Sequence, residues 1–320
     1  MKGKILITLT TKEKAQVDDL IVKSLVAKGY EVVTNYSNAM LDEEELIEKI
    51  KDVDGYIVGL EKVNERVFQA ANNLKVVCKF GVGTDNIDKR AAAKFGVKVA
   101  NCPGLNSNSV AELVLGIMIS LVREIPQLDA QMKQGNWVSS MGTELTGKTL
   151  GIIGMGNIGK RLIQLVQGFQ MKILVYDVFQ DHQFAQRYGV EFAPLKRVIQ
   201  EGDFLSLHLP LTDDTRNLID EAELKAMKKS AYLINTARGG IVNEDALYTA
   251  LEKGELAGAA IDAFIHEPPF GSPLVKNNRL IALPHIGAAT YEATERIAYY
   301  AMGNVLNVLE GKDPLSEVKE

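Results

Sequence analysis

Residues 149–159 read Thr149-Leu150-Gly151-Ile152-Ile153-Gly154-Met155-Gly156-Asn157-Ile158-Gly159. An apolar run suited to a buried strand passes directly into Gly-x-Gly-x-x-Gly, and an amphipathic pattern from Lys160 to Phe169 continues it as a helix. Gly154 is expected to make the tight turn, Gly156 to let the backbone approach a pyrophosphate, and Gly159 to let the helix lie close on the strand. Free N–H groups at the helix start, with the positive end of its dipole, would hold the phosphates. A second strand, Lys172 to Tyr176, ends in Asp177, 18 residues beyond Gly159. That carboxylate is placed to accept from both ribose hydroxyls of an adenosine. Val178 and Phe179 follow it, with no Arg or Lys to receive a 2′-phosphate, so the cofactor expected is NAD rather than NADP. An ordinary βαβ turn, its glycines serving packing alone, would not ask for an acid at the tip of the next strand.

The remaining composition bounds what such a chain can do. Its 320 residues suffice for two domains with proper cores. The hydrophobic fraction of 46% and charged fraction of 24% are those of a soluble globular protein. A net charge of −5 with no basic block argues against nucleic acid or an anionic membrane as a partner. The only cysteines, Cys78 and Cys102, lie in apolar surroundings and read as buried, inert thiols. Four histidines without ligand spacing give no metal site. No signal peptide or membrane span is legible, so the cytoplasm is the expected compartment.

Short apolar runs alternate with amphipathic stretches throughout, the pattern of parallel sheets covered by helices. The first third offers strands at Lys4–Leu9, Glu31–Val33, Gly55–Val58, Leu74–Phe80 and Lys98–Ala100. Helices are expected at Glu13–Lys28, Glu43–Lys51, Glu65–Ala71 and Asp88–Phe95. Ser109-Val110-Ala111-Glu112 reads as a capping box that opens a long apolar helix toward Val122. The second unit offers six strands: Thr149–Ile153, Lys172–Tyr176, Asp203–His208, Ala231–Thr236, Gly258–Asp262 and Leu280–Leu283. Tyr291 to Leu309 reads as one helix with Ala, Ile and Tyr inward, returning to the first domain. The fold expected is α/β, two Rossmann-like or flavodoxin-like parallel-sheet domains with a cleft between them. A discontinuous domain of residues 1–101 plus 292–320 would bind substrate, and residues 102–291 would bind NAD.

Ligands of open α/β sheets sit at the carboxyl ends of strands. Three reactive side chains follow neighbouring strands there: Arg238 in Asn235-Thr236-Ala237-Arg238-Gly239-Gly240, Glu267 after Asp262-Ala263-Phe264, and His285 in Leu283-Pro284-His285-Ile286-Gly287. Moving a hydride off an alcohol also sheds a proton, which an imidazole accepts near neutrality. Glu267 can accept from the other ring nitrogen of that imidazole. The Arg238 fork can grip a carboxylate and polarise the adjacent carbonyl. Taken singly, each has a plainer reading as a strand cap, a solvated loop acid or a packing histidine. That reading gives no reason for the three to meet. His182 belongs on a surface helix, His208 ends a strand and can line the cofactor cleft without being the base, and His266 points elsewhere. In the first domain, Lys79-Phe80-Gly81-Val82-Gly83-Thr84-Asp85 could form an anion nest for a substrate carboxylate, or a plain turn capped by Asp85.

Together these motifs resemble the D-isomer-specific 2-hydroxyacid dehydrogenases, most closely their D-3-phosphoglycerate dehydrogenase branch. The matching pieces are Gly81 to Asp88, Val110-Ala111-Glu112, Leu150 to Gly159, Asn235 to Gly239, Asp262 to Pro268 and Pro284 to Gly287, spanning nearly the whole chain. The resemblance implies Arg238, Glu267 and His285 as the catalytic set. It implies Asn157, Ile158, Asp177, His208, Pro210, Thr236, Ala237, Asp262 and Gly287 around NAD, with Asp262 near the carboxamide. It implies substrate contacts from Val82, Gly83 and Asn106, with Lys79 standing where many relatives carry Arg. Members are usually homodimers built through the nucleotide domains, with a cleft that closes.

The chain departs from the phosphoglycerate branch in two places where that branch often carries a basic residue: Gly59-Leu60 and Val138-Ser139-Ser140. Lys62 could substitute for the missing charge. The expected activity is NAD-dependent interconversion of a small D-2-hydroxyacid and its 2-oxoacid, phosphoglycerate dehydrogenase-like. Glyoxylate/hydroxypyruvate reduction is the alternative that the uncharged positions favour. A binding module that senses NAD(H) is the rival of another class, separated by turnover of 2-oxoacids.

Overall fold

The computed structural model describes residues 2–9, 17–36 and 40–319, and the chain divides into two compact units, Met1–Asn106 with Ala289–Glu320, and Ser107–Ala288. Unit one holds five parallel strands, β1 (Lys4–Leu9), β2 (Glu31–Tyr36), β3 (Gly55–Val58), β4 (Val76–Lys79) and β5 (Lys98–Ala100), in the order β2-β1-β3-β4-β5. Their near-continuous apolar runs, such as Ile5-Leu6-Ile7 and Tyr56-Ile57-Val58, are buried because helices cover both faces. On one face lies the helix Tyr291–Leu309, capped by the Thr290 hydroxyl accepting the Ala293 N–H at 3.1 Å. Gly55 lets it close onto the sheet, since a Cβ there would stand 2.7 Å from Val305 Cγ1. The inward side of this helix is Ala and Ile as expected, but Tyr291 and Tyr299 are exposed and only Tyr300 packs on the core.

Of the helix expected over Glu13–Lys28, residues 13–16 lie outside the described residues. The remainder is a wide π-type turn, Asp18–Val22, running into an α-helical segment, Lys23–Ala27. The helix Lys89–Lys94 is capped by Asp88, which accepts the Ala91 N–H at 3.0 Å, rather than by Asp85.

Unit two carries seven parallel strands: β6 (Thr149–Ile153), β7 (Lys172–Tyr176), β8 (Val190–Phe192), β9 (Phe204–Leu207), β10 (Tyr232–Asn235), β11 (Gly258–Ile261) and β12 (Leu280–Ala282). Their order is β12-β11-β10-β9-β6-β7-β8. The count corrects the expected six. β8 has three residues, only partly buried, on the sheet's edge, so it gives no apolar run to read. With it in place the order is that of a dinucleotide-binding sheet, and the direction of winding reverses between β6 and β9. That reversal puts the glycine turn after β6 beside the end of β9.

A second correction concerns the helix Ser107–Val122. It starts two residues before the expected cap, leaving Ser109 inside its first turn, and Glu112 instead accepts from Asn108 Nδ2 at 2.8 Å. Ser-x-x-Glu spacing can equally lie inside a first turn, as here, so it does not by itself fix the end.

Candidate functional site

All three candidate reactive groups lie in unit two, after β10, β11 and β12, which are neighbours in the sheet. His285 follows β12 with φ +52°, a left-handed conformation uncommon outside glycine, though asparagine, aspartate and histidine adopt it more readily than other residues. Its Nδ1 is 3.0 Å from each carboxylate oxygen of Glu267. An ionised carboxylate only accepts, so Nδ1 carries the hydrogen and Nε2 is the acceptor nitrogen of the neutral ring. Burial works to raise the Glu267 carboxyl, but hydrogen bonding and charge from His285, the Phe264 N–H and Arg238 outweigh it and hold it below its usual range. Arg238 is thus close enough to bear on the same carboxylate.

Short-range stitching explains why these side chains stay put. The Asn235 side chain, almost fully buried, accepts the Ala237 N–H at 3.1 Å and donates to the Arg238 carbonyl at 2.8 Å. The Arg238 guanidinium donates to the Ala237 carbonyl at 2.7 Å. Asp262, buried at the end of β11, accepts the Ile286 and Gly287 N–H groups, each at 2.8 Å, and so ties down the turn carrying His285. The expected cofactor residue therefore has a backbone-anchoring task as well.

The glycine turn fits a dinucleotide. Gly154 has φ +94°, and a Cβ there would stand 2.5 Å from the His208 carbonyl oxygen. Any larger residue would push the turn off the end of β9. A Cβ on Gly159 would meet the Gly154 carbonyl at 2.5 Å, whereas Gly156 faces open space, the room a pyrophosphate needs. Gly156 caps the helix Asn157–Leu165 without a side-chain bond, so Asn157 and Ile158 open a helix N-terminus suited to an anion. Asp177 Oδ2 accepts the Met155 N–H at 2.5 Å and Oδ1 the Phe179 N–H at 2.8 Å, which aims the carboxylate back at the glycine turn. Thr236 Oγ1 and His208 Nδ1 are buried without a hydrogen-bond partner, and polar atoms of that kind await a ligand. Burial pushes the His208 imidazole down to about 4, so at neutral pH it is uncharged. Pro210 lies exposed just beyond β9 and Ala237 is buried beside Thr236. His182 begins a surface helix, and His266 is exposed next to Glu267.

The remaining candidates belong to unit one. Lys79 Nζ donates to the Gly59 carbonyl and, at 3.3 Å, to Asn86 Oδ1. Gly81 has φ +145°, but its N–H already donates to the Lys79 carbonyl at 2.9 Å. Half of the expected nest is thereby closed, and the Val82 and Gly83 amides remain as the candidate donors. Asn106 Oδ1 is buried without a partner. Lys62 is exposed between buried Glu61 and Val63. A Cβ on Gly59 would stand 2.8 Å from the Thr8 carbonyl oxygen, so this turn has no room for a basic side chain. Cys78 and Cys102 are both fully buried, and burial pushes the Cys78 thiol well up.

A strand, glycine turn and helix that leave room for a pyrophosphate, with an acid on the next strand, define a dinucleotide-binding domain. Comparison with known proteins says which one. The family model for the NAD binding domain of D-isomer specific 2-hydroxyacid dehydrogenases matches residues 115–287. A D-3-phosphoglycerate dehydrogenase from Methanocaldococcus jannaschii is 42% identical over 276 residues, 85% of this chain and 53% of its own. A glyoxylate reductase from Korarchaeum cryptofilum is 34% identical over 328 aligned positions, covering 100% of this chain and 97% of its own. The chain thus spans about half the length of that phosphoglycerate dehydrogenase and nearly all of that glyoxylate reductase. Among solved structures, a Thermus thermophilus protein superposes with a TM-score of 0.90 at 32% identity, covering 98% of this chain and 99% of its own. D-lactate dehydrogenase with NAD+ from Lactobacillus jensenii gives 0.81 at 27% identity, covering 99% and 100%. The chain belongs to the D-isomer specific 2-hydroxyacid dehydrogenase family.

Sequence reasoning missed Asn235, which stitches the Arg238 turn, and Gly239, whose Cβ would stand 2.2 Å from the Phe264 carbonyl. Gly239 was visible as a glycine beside Arg238, but nothing local tells which backbone it must admit.

Proposed function

We propose that the chain is an NAD-dependent D-2-hydroxyacid dehydrogenase that also reduces small 2-oxoacids. The observation that carries this reading is the Glu267–His285 pair, 3.0 Å apart, at a strand end next to Arg238. Bound NAD(H) would supply hydride chemistry, held by Gly154, Gly156, Asn157, Ile158, Gly159 and Asp177, with His208, Pro210, Thr236, Ala237, Asp262 and Gly287 lining the rest. Arg238 would hold the substrate carboxylate as a fork and draw electron density from the neighbouring carbonyl. His285 Nε2 would give the carbonyl oxygen its proton during reduction and take it back during oxidation. Glu267 would keep the hydrogen on Nδ1 and stabilise the imidazolium. Lys79, Val82, Gly83 and Asn106 are the proposed further substrate contacts.

The substrate is a short 2-oxoacid. Phosphoglycerate dehydrogenase-like use of a phosphorylated acid is one reading, and reduction of glyoxylate or hydroxypyruvate is the other. The absence of room at Gly59 favours the second. NADH oxidation with glyoxylate, hydroxypyruvate and 3-phosphohydroxypyruvate tests both. Turnover with none of them, despite NADH binding, would leave a sensor rather than an enzyme.

Asp177→Ala should raise the NADH dissociation constant about 10- to 100-fold, the equivalent of one or two hydrogen bonds to a charged group. It should also narrow the preference for NADH over NADPH. Fluorescence titration reads both, and an unchanged preference would remove Asp177 from the ribose site.

We further propose a homodimer. Trp137 is 89% and Met141 97% exposed, and Ile125, Met132 and Val138 of the same stretch of chain are exposed as well. Around the helix Ile125–Lys133, a depression of about 410 Å³ is lined by Ile119, Ile125, Leu128 and Met132, with Arg123 and Asp129 among them. Apolar exposure on this scale marks an interaction surface. Light scattering should give twice the 35.1 kDa chain mass, and Trp137→Glu with Met141→Glu should halve it. A wild-type monomer would refute the dimer. A cytoplasmic location goes with this reading; among the described residues no helix is long and apolar enough to cross a membrane.

A further inference from the structure

The backbone at Phe264 and Ile265 is held from three directions. Gly239 lies against it so closely that a Cβ there would be 2.2 Å from the Phe264 carbonyl carbon and oxygen and 2.4 Å from the Ile265 nitrogen. The Phe264 N–H donates to Glu267 Oε1 at 3.1 Å. The Ile265 N–H donates at 2.7 Å to Oε1 of Glu244, a residue 21 positions away in the chain. Glu244 is the first residue of the helix Glu244–Glu252. Asn243 caps that helix by accepting the Asp245 and Ala246 N–H groups, and its Nδ2 is itself tied to Asp220 at 2.9 Å. The carboxylate therefore stands on a fixed helix end.

We infer that Glu244 is a positioning residue, holding the Ile265 N–H and with it the loop that sets Glu267 against His285. The role rests on the dehydrogenase reading. Side-chain packing holds little of this loop, with Ile265 and Phe270 47% and 88% exposed. A charge-assisted bond to a backbone N–H is among the stronger single contacts available to such a segment. Glu244 bonds the Ile265 backbone, so it acts through the loop. The charged groups facing it are Asp245, His266 and Glu267. Two of these are acids, so the Ile265 N–H is what draws its carboxylate to this spot.

Glu244→Ala and Glu244→Gln separate this role from a general structural one. Glutamine keeps a carbonyl oxygen where the carboxylate oxygen was and drops the charge. Steady-state NADH oxidation with the 2-oxoacid that wild type turns over best should show kcat falling about 30- to 100-fold in Glu244→Ala, because an ångström of misplacement has effects of that size. KM should change little, and Glu244→Gln should recover most of the kcat. In the cofactor-free chain, amide exchange at Ile265 should quicken in the alanine variant and stay slow in the glutamine one. Wild-type kcat and slow exchange in Glu244→Ala would overturn the inference, as would a glutamine variant no better than alanine. A wild-type chain inactive on every 2-oxoacid would instead refute the dehydrogenase reading, while the exchange measurement would still test the clamp.

Discussion

His285→Asn should lower kcat for 2-oxoacid reduction by about three orders of magnitude while NADH affinity changes little. Asparagine suits this test better than alanine because position 285 has φ +52°, a conformation that asparagine adopts readily. The turn, held by Asp262 through the Ile286 and Gly287 amides, should therefore keep its shape. What disappears is the imidazole that exchanges the proton, and positioned acid–base groups contribute about 10²- to 10⁴-fold. Steady-state kinetics with a fluorescence titration of NADH measures both quantities. Retained turnover would remove His285 as the proton carrier.

Gly239→Ala should be nearly as damaging without altering any group that meets substrate. Its Cβ would stand 2.2 Å from the Phe264 carbonyl, which is backbone and cannot swing aside. The Arg238 turn and the Glu267 loop must then part. Overpacking of this sort costs on the order of 3 kcal/mol of stability. The separation should also lower kcat about 100-fold. Thermal melting and kinetics on the folded fraction read the two effects apart. A variant with wild-type melting and turnover would mean that the two turns do not depend on this contact.

These two positions show where sequence is legible and where it is not. His285 and Arg238 could be found because parallel strands give recognisable apolar runs, and their carboxyl ends are where reactive side chains gather. The three glycines after β6 were readable for the same reason, because their spacing between an apolar strand and a helix is itself a recognisable pattern, even though the backbone that Gly154 must admit belongs to distant His208. Unit one's strands also announced themselves as runs such as Ile5-Leu6-Ile7. β8 did not, because an edge strand of Val190-Glu191-Phe192 is short, half exposed and interrupted by a charge. The helix Ser107–Val122 starts two residues before Ser109 because Ser-x-x-Glu spacing fits a serine inside a first turn as well as one at its cap. Glu244, Asn235 and Gly239 act through backbone groups of segments distant in sequence or turned back on themselves. No pattern along the chain encodes such a contact. The nest at Gly81 was half legible: the glycine was right, but the Lys79 carbonyl had already claimed its N–H.

The central claim is direct hydride transfer to carbon 2 of a short 2-oxoacid with delivery of a proton to the oxygen. Reduction of hydroxypyruvate or glyoxylate with NADH carrying deuterium at both C4 positions of the nicotinamide, followed by mass and chiral analysis of the product, measures it. One deuterium is predicted at carbon 2, and with hydroxypyruvate the product should be the D enantiomer. A product without deuterium, an L product, or no product at all would contradict the account.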